Sequence, residues 1–417
     1  TTLSNLTPRG AGDFKMANTY KLTDMVAREA LVEAHEQAQL LATVDRQYDD
    51  SFGKSGAKIG DTLRVRNANQ FTVRTGNAMA IQPITETTQT VTLSTLKGVD
   101  MEFNHVDLLL KTDSPKDVAA FTKRNISPAI SKLLSVVESE AMTFYTKATY
   151  NLAGTAGSAI NSLTTPNLAR AKMNQQLAPK KDRFIQMDSI TMASLVGGVA
   201  AYFNPSGAIG DQYKEGLVAR TSMADYYENE RVWTLPNSAD VAGEINAGTL
   251  TSGITTLTVD GFTVAPVAGM VFTVENIFDV HPETKAAYAH LKQFVVSSAT
   301  TTSITFTPAM IYDTTDARQN VSGTPVDNAD ITFVGALSTN YVQPLMYHKD
   351  AFQFVTGDLP IVDDADKCVV MRKDNISIRV WRGSDIGNNR SVMRIDMLYG
   401  FAALRPEWAC RMIGSAN

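Results

Sequence analysis

The chain has 417 residues, of which 44% are hydrophobic, 8% aromatic and 19% charged, a composition that buries a sizeable core and excludes a disordered protein. Its 38 Lys and Arg against 43 Asp and Glu give a net charge of -5, too acidic for a protein whose whole surface grips nucleic acid. Cys368 and Cys410 lie far apart, which removes a disulfide scaffold and every Cys-rich zinc fold, and both read as buried reduced thiols.

Residues 1–15 are polar and read as a flexible tail with no secretory signal, so synthesis in a cytoplasm is expected. No run approaches the roughly 18 to 20 apolar residues of a membrane helix. From Leu22 to Val44 apolar residues recur at helical spacing between Arg28, Glu29, Glu33 and Glu36, an amphipathic helix ended by Asp49, Asp50 and Gly53. Leu63 and Val65 alternate with Arg64 and Arg66, and a second alternation runs from Thr90 to Phe103. Together they predict two long strands forming a ribbon with a polar tip. A two-stranded ribbon is marginal alone, so its support is expected from another subunit.

Asp113-Ser114-Pro115 and Ser127-Pro128 each start a helix. The second carries the stripe Ile130, Leu133, Leu134, Val137, Ala141, Phe144, Tyr145 and Ala148 over about 30 Å. A third helix runs from Thr165 to about Leu177, a strand from Phe184 to Met187, and Asp188 or Ser189 caps another helix. The composition then shifts. Residues 236–340 hold three basic and ten acidic residues, a net charge of -7, which leaves +2 for the rest of the chain. Short runs at Thr255–Val259, Met270–Val274, Gln293–Val296, Ser303–Thr307 and Ile331–Val334 predict a small all-β domain inserted into one parent domain.

Chemical motifs are absent. Gly53-Lys54-Ser55 ends a phosphate loop but Tyr48 replaces its first glycine, and His35-Glu36 lacks the second histidine because Gln39 stands there. Asp363, Asp364 and Asp366 have no calcium-loop glycine and glutamate and read as a solvated turn. None of the five histidines lies within four residues of another, and there is no Gly-x-Ser-x-Gly elbow. The expectation is no enzyme, with no catalytic, cofactor or metal residues. Arg64, Arg66 and Arg74, and Lys180, Lys181 and Arg183, are the basic groups that would suit phosphate. Without interleaved aromatics they read as solvated faces or as pairs with a neighbouring chain.

The closing segments Ile376-Ser-Ile-Arg-Val-Trp-Arg382, Met393-Arg-Ile-Asp-Met-Leu-Tyr-Gly400 and Leu404-Arg-Pro-Glu-Trp-Ala409 resemble the C-terminus of tailed-bacteriophage major coat proteins, of the type found in short-tailed Salmonella phages. His348-Lys-Asp-Ala351 with Asp358-Leu-Pro360 resembles the return from that type's inserted β domain. Met223-Ala-Asp-Tyr-Tyr-Glu228 with Val232-Trp-Thr-Leu-Pro236 resembles the exit into it.

The resemblance implies an α+β protein of the Hong Kong 97 capsid fold with an inserted barrel-like β domain. Its parts would be a tail and arm helix (1–50), an extended β-ribbon loop and its return strand (51–103), a peripheral domain with a spine helix (104–164), a first axial part (165–235), the insertion (236–340), and an axial and peripheral return (341–417). It also implies a capsid protein in a virion, assembled in the host cytoplasm and rearranging as a procapsid matures. Its partners would be copies of itself in hexamers and pentamers, scaffolding and portal proteins, and non-specifically held double-stranded DNA, with no membrane. Candidate contacts between subunits are Arg64, Arg66, Arg74, Glu86, Asp100 and Glu102. The alternative is a surface or tail-associated adhesin binding through the insertion, for which a secretion signal and an aromatic face are expected.

Overall fold

The computed structural model describes residues 39–49, 62–66, 71, 76–77, 79, 81, 88–104, 127–199, 224–246, 248, 250–361, 367–373, 376–385, 387 and 390–415. The first element is α1 (Gln39–Thr43), the described end of the expected arm helix, followed by β1 (Asp45–Asp49). β2 (Thr62–Arg66) pairs antiparallel with β3 (Thr88–Thr92), Leu63 opposite Val91, forming the ribbon. The expected single strand from Thr90 to Phe103 is two. β4 (Thr95–Asn104) leaves the ribbon, and the alternation reads straight through because side-chain parity is kept while the partner strand changes.

The expected spine helix is α2 (Ser127–Ala148), and β5 (Leu152–Ala153), α3 (Thr164–Gln175), β6 (Arg183–Met187) and α4 (Ser189–Val199) follow. Asp188 caps α4, its Oδ2 accepting from the Thr191 amide at 3.0 Å. β7 (Asp225–Glu228) and β8 (Thr234–Pro236) lead to β9 (Ala242–Ile245), β10 (Ile254–Asp260), β11 (Val271–Val280), β12 (Ala287–Ala299), β13 (Ser303–Met310) and β14 (Asp330–Phe333). The chain returns through β15 (Asn340–Val342), β16 (Leu345–His348), β17 (Phe352–Gly357), β18 (Lys367–Lys373), β19 (Ile376–Asp385), β20 (Arg390–Ala403) and β21 (Ala409–Met412). The helix expected at Asp113 and the acidic turn at Asp363 lie outside the described residues.

Three assemblies result. A long sheet orders β1, β17, β20, β19 and β18, with β4 also paired to β20. A five-stranded sheet orders β5, β21, β16, β6 and β7. Strands β10, β13, β12, β11, β14 and β9 close a barrel, and β8 pairs with β15, so the chain enters and leaves the barrel side by side. The architecture is α+β with an inserted closed barrel.

The cores follow from these pairings. Ile130, Leu133, Leu134, Val137, Ala141 and Tyr145 of α2 bury against Phe352, Phe354, Ile378, Val380, Ile395 and Tyr399 of the long sheet. Tyr145 stacks on Phe352 at 4.5 Å between ring centres, and its hydroxyl donates to the Gln353 carbonyl at 3.0 Å. Phe144, expected on the stripe, sits at its exposed edge against Phe401. The barrel has its own core, where Phe272 meets Phe294, Phe306 and Phe333 with ring centres 5.5–5.7 Å apart.

Candidate intersubunit surfaces

Among the described residues, the long sheet has one face covered by α2 and one without a helix. On β19, β20 and β4 the register sets Gly383, Val392 and Glu102 in one row, Trp381, Arg394 and Asp100 in the next, and Arg379, Asp396 and Gly98 in the third. With a side-chain period of two, all nine share one face, opposite the Val380, Ile395 and Met393 face packed on α2. Asp396 is fully buried. It accepts from Arg379 Nη2 at 2.6 Å and from Arg394 Nε at 2.7 Å, and the Arg394 guanidinium rises above its usual pKa because of that hydrogen bond and charge.

Asp100 and Glu102 sit at the outer edge, 77% and 56% exposed. Asp100 lies 3.6 Å from Arg394, and Glu102 accepts from Arg390 at 3.0 Å. Exposed pairs of this kind hold loosely and leave both carboxylates open to a second cation. Arg64 and Arg66 lie on β2, while Arg74 and Glu86 fall outside the described residues. The structure thus brings Asp100 and Glu102 together and leaves the ribbon arginines on a separate element.

Among the described residues, the ribbon is tied down at its base. Val91 and Leu93 bury against Val355, Leu359, Leu398 and Ala402. Gly400 of β20 admits this close approach, since a Cβ there would lie 2.4 Å from the Thr92 carbonyl oxygen. Gly400→Ala is therefore expected to lift the ribbon base at a cost of about 1–3 kcal/mol. Hydrogen exchange is the check, with faster exchange at Val91 and Leu93 and unchanged protection in α2. Farther out, Phe71, Met79 and Ile81 are 61%, 81% and 84% exposed.

A second network ties arm, spine and sheet. Glu138 is buried on α2, where its Oε1 accepts from the Leu40 amide at 2.7 Å and Asn229 Nδ2 at 3.1 Å, and its Oε2 from Arg231 Nη1 at 3.1 Å. Burial pushes its pKa up against those three donors. The sequence alone points to Arg183 as a solvated or paired surface charge. The structure corrects this: it is fully buried, donating to the Pro179 and Ala178 carbonyls and to Asn174 Oδ1 at 2.6–2.8 Å, because the turn before β6 folds back over it. Lys180 and Lys181 are exposed. Cys410 is buried and its thiol is pushed up to about 12 by burial, whereas Cys368 is only half-buried, opposite Trp381 at the edge of the long sheet.

The barrel docks on the body along a polar seam. Lys172 of α3 donates to Gln293 Oε1 at 2.5 Å and to the Leu152 carbonyl at 2.7 Å, and Leu152 N donates to the same Gln293 oxygen at 2.8 Å. Arg411 Nη1 donates to the Gly269 carbonyl at 2.8 Å and Gln343 Oε1 at 3.1 Å, with burial pulling its guanidinium down to about 9. Asp279 accepts from Lys292 at 2.8 Å and from Gln176, just past the end of α3, at 3.0 Å. Burial pushes Asp279 up, but the His290 hydrogen bond and the Lys292 charge outweigh it and hold the carboxyl below its usual 3.8.

A depressed carboxyl stabilises above its unfolded pKa, and that contribution is lost as pH falls through the folded value. Asp279→Asn is therefore expected to cost about 1–3 kcal/mol at pH 7, with the gap to the parent closing below pH 3.8. Denaturant titrations of both chains across pH 7 to 2.5 read it, and a gap independent of pH would exclude ionised Asp279 as its source.

The seven exposed carboxylates of the barrel, Glu244, Asp260, Glu275, Glu283, Asp313, Asp327 and Asp330, face Arg318 as the exposed base among residues 236–340. Among the described residues no group of three or more His, Cys, Asp or Glu could hold a metal ion, and no helix is long and apolar enough to cross a membrane.

Residues 236–414 match the family model of the P22 coat protein, gene protein 5. A search of the curated proteins finds no match. Among solved structures, Mycobacterium phage Che8 is 10% identical with a TM-score of 0.46, covering 88% of each chain. The capsid of cyanophage P-SCSP1u is 12% identical with a TM-score of 0.42 over 100% of this chain and 93% of that one, and the mature capsid of bacteriophage PhiM1 is 9% identical with a TM-score of 0.43 over 88% and 85%. From the neck of the barrel through the closing strands of both sheets, residues 236–414, the chain is similar to the P22 coat protein family.

Proposed function

We infer that this chain is the major capsid protein of a tailed phage, assembling as hexamers and pentamers into a closed icosahedral shell around double-stranded DNA. The observation that carries this reading is the coat-protein match over residues 236–414, which spans the barrel, the long sheet's return and the last strand of the five-stranded sheet. The ribbon agrees with it, since its base is buried and its outer apolar residues are exposed, as an arm reaching a neighbour requires.

In this reading residues 1–50 are tail and arm, 51–103 the ribbon and its return, 104–164 the peripheral domain, 165–235 and 341–417 the axial and peripheral parts, and 236–340 the insertion. Hexamers and pentamers form through heterologous contacts that close, so each contact is weak and the shell stable. The barrel faces outward, where its carboxylates keep particles apart, and the near-neutral remainder encloses DNA without gripping it. Scaffolding and portal proteins assist assembly in the host cytoplasm, and the ribbon and arm shift as the procapsid matures. The chain carries no chemistry of its own.

An adhesin is disfavoured because Phe262, Phe272, Phe294, Phe306 and Phe333 fill the barrel core and form no aromatic binding face. Electron microscopy of the concentrated protein, with and without its scaffold, tests the reading. Uniform closed shells are expected, and a stable monomer that never forms rings or shells under either condition rejects it.

A further inference from the structure

We propose that the arm helix and the inserted barrel are mechanically coupled through Glu138, so that loosening either end of the connection loosens the other. The coupling lies within one chain and goes beyond the shell reading.

The arm end of the connection is α1. Leu40 and Leu41 are fully buried against the spine and the long sheet, and the Leu40 amide donates to Glu138 Oε1 at 2.7 Å. Thr43, at the end of α1, shares a hydrogen bond between hydroxyls with Tyr347 of β16. The Tyr347 hydroxyl also accepts from Gln186 Nε2 at 3.3 Å, and Gln186 Oε1 accepts from Asn229 Nδ2 at 3.3 Å. Two buried routes therefore lead from the arm to residues 229–232, one through the Glu138 carboxylate and one through Tyr347 and Gln186. A satisfied buried network rigidifies what it joins, and each lost member is costly.

The barrel end begins at residues 229–232. The Arg231 amide donates to Asn229 Oδ1 at 3.0 Å, while its side chain holds Glu138 Oε2 and Ser135 Oγ, each at 3.1 Å. The next two residues face different cores. Val232 packs against the cluster shared by α2 and the long sheet, and Trp233 packs against the cluster inside the barrel. Lys147, in the last turn of α2, sits over the Trp233 ring at 5.3 Å. Gly269, just before β11, makes room for that ring, since a Cβ there would lie 2.6 Å from Trp233 Cη2.

A shift of this turn moves a side chain in each core at once. Packed cores switch between discrete arrangements rather than deform smoothly, so the shift is passed on and not absorbed. Glu138 supplies the two states. With α1 seated, its oxygens take three donors from two parts of the chain. With α1 lifted, the Leu40 amide is gone and water reaches the carboxylate, so Arg231 loses the dry partner that fixes the turn.

Amide hydrogen exchange of the full chain as a monomer tests the coupling, read where the rates do not depend on denaturant so that local openings are seen. Leu41→Ala loosens the arm and Trp233→Leu loosens the barrel's seat. The arm is followed at Val44, whose amide donates to the Leu40 carbonyl, and the seat at Gly269, whose amide donates to the Val296 carbonyl. Each substitution is expected to speed exchange at the distant site at least about fivefold, in both directions as linkage requires. Both transfers should vanish in a Glu138→Gln, Arg231→Met background, which removes the two charges together and leaves neither buried alone. Exchange that rises only at the substituted end, or transfer in one direction only, overturns the proposal. Transfer that persists in the uncoupled background overturns it too, because the loosening is then general. Should that background not fold, Arg231→Lys, which keeps the charge and loses the fork, is expected to weaken the transfer, and unchanged transfer there rejects the coupling. The measurement needs no shell, so its failure leaves the shell reading standing, and failure to form shells leaves the coupling standing.

Discussion

Ala141→Asp is expected to abolish soluble expression. Ala141 is fully buried at the middle of α2, in the cluster that includes Tyr145, Phe352 and Ile395. A carboxylate there loses its water, gains no cation, and stands three residues after Glu138, whose two oxygens already take the local donors Leu40, Asn229 and Arg231. Residues three apart on a helix are neighbours, so two buried acids repel each other as well. Burying an unpaired charge belongs to the small class of substitutions that cost more than about 4 kcal/mol, against a total stability of about 5–15 kcal/mol. Ala141→Gly, which changes helix propensity and little else, should cost about 1 kcal/mol and remain soluble. Soluble yield and urea midpoints of the two variants decide the point. Soluble Ala141→Asp with a native midpoint would show that α2 is not packed on the long sheet.

The same helix shows what sequence makes legible. Its apolar repeat places Ser127–Ala148 to within a residue, because an amphipathic period is written in every turn. Glu138 stands four residues after Leu134 and seven before Tyr145, on the buried face, so its burial was readable from spacing. Its partners were not, since Leu40, Asn229 and Arg231 come from distant parts of the chain. In the barrel, the runs rich in Val, Ile, Thr and Phe mark β10 through β14. The closing strand β9, Ala242–Ile245, has no alternation to find, and a Cβ at its Gly243 would overlap the Phe262 ring that packs there. Closure is a property of the pairing, not of one strand.

The candidate surface was legible in part for the same reason. Asp100 and Glu102 are two residues apart on a strand and so share a face, but that face is defined by β19 and β20, almost three hundred residues later. Trp381 and Gly383 carry no signal as members of that face until the register aligns them with Arg394 and Val392. Arg183 shows the converse, because a basic residue beside Lys180 and Lys181 looks solvated until the turn buries it. Local composition reports average exposure and is blind to which member of a charged run the backbone folds over.

Removal of the ribbon tip, residues 68–83, replaced by Asn-Gly, is expected to leave a folded monomer that forms no shells. The described attachments of the ribbon are spared, namely the register from Thr62 opposite Thr92 to Arg66 opposite Thr88, and the burial of Val91 and Leu93 at the base. The deletion takes away Phe71, Met79 and Ile81, all three exposed, together with the charge of Arg74. Monomer stability should therefore move by less than about 1 kcal/mol. Assembly multiplies the loss, because a contact weakened by only 1.4 kcal/mol falls about tenfold in strength and a closed shell repeats that contact at every subunit. Circular dichroism and urea midpoints matching the parent, with sedimentation showing monomer under conditions where the parent forms shells, is the expected pair of results. Shells of normal yield from the shortened chain would show that the ribbon does not hold the neighbouring subunit, and that subunit contacts lie in the helices and sheets alone.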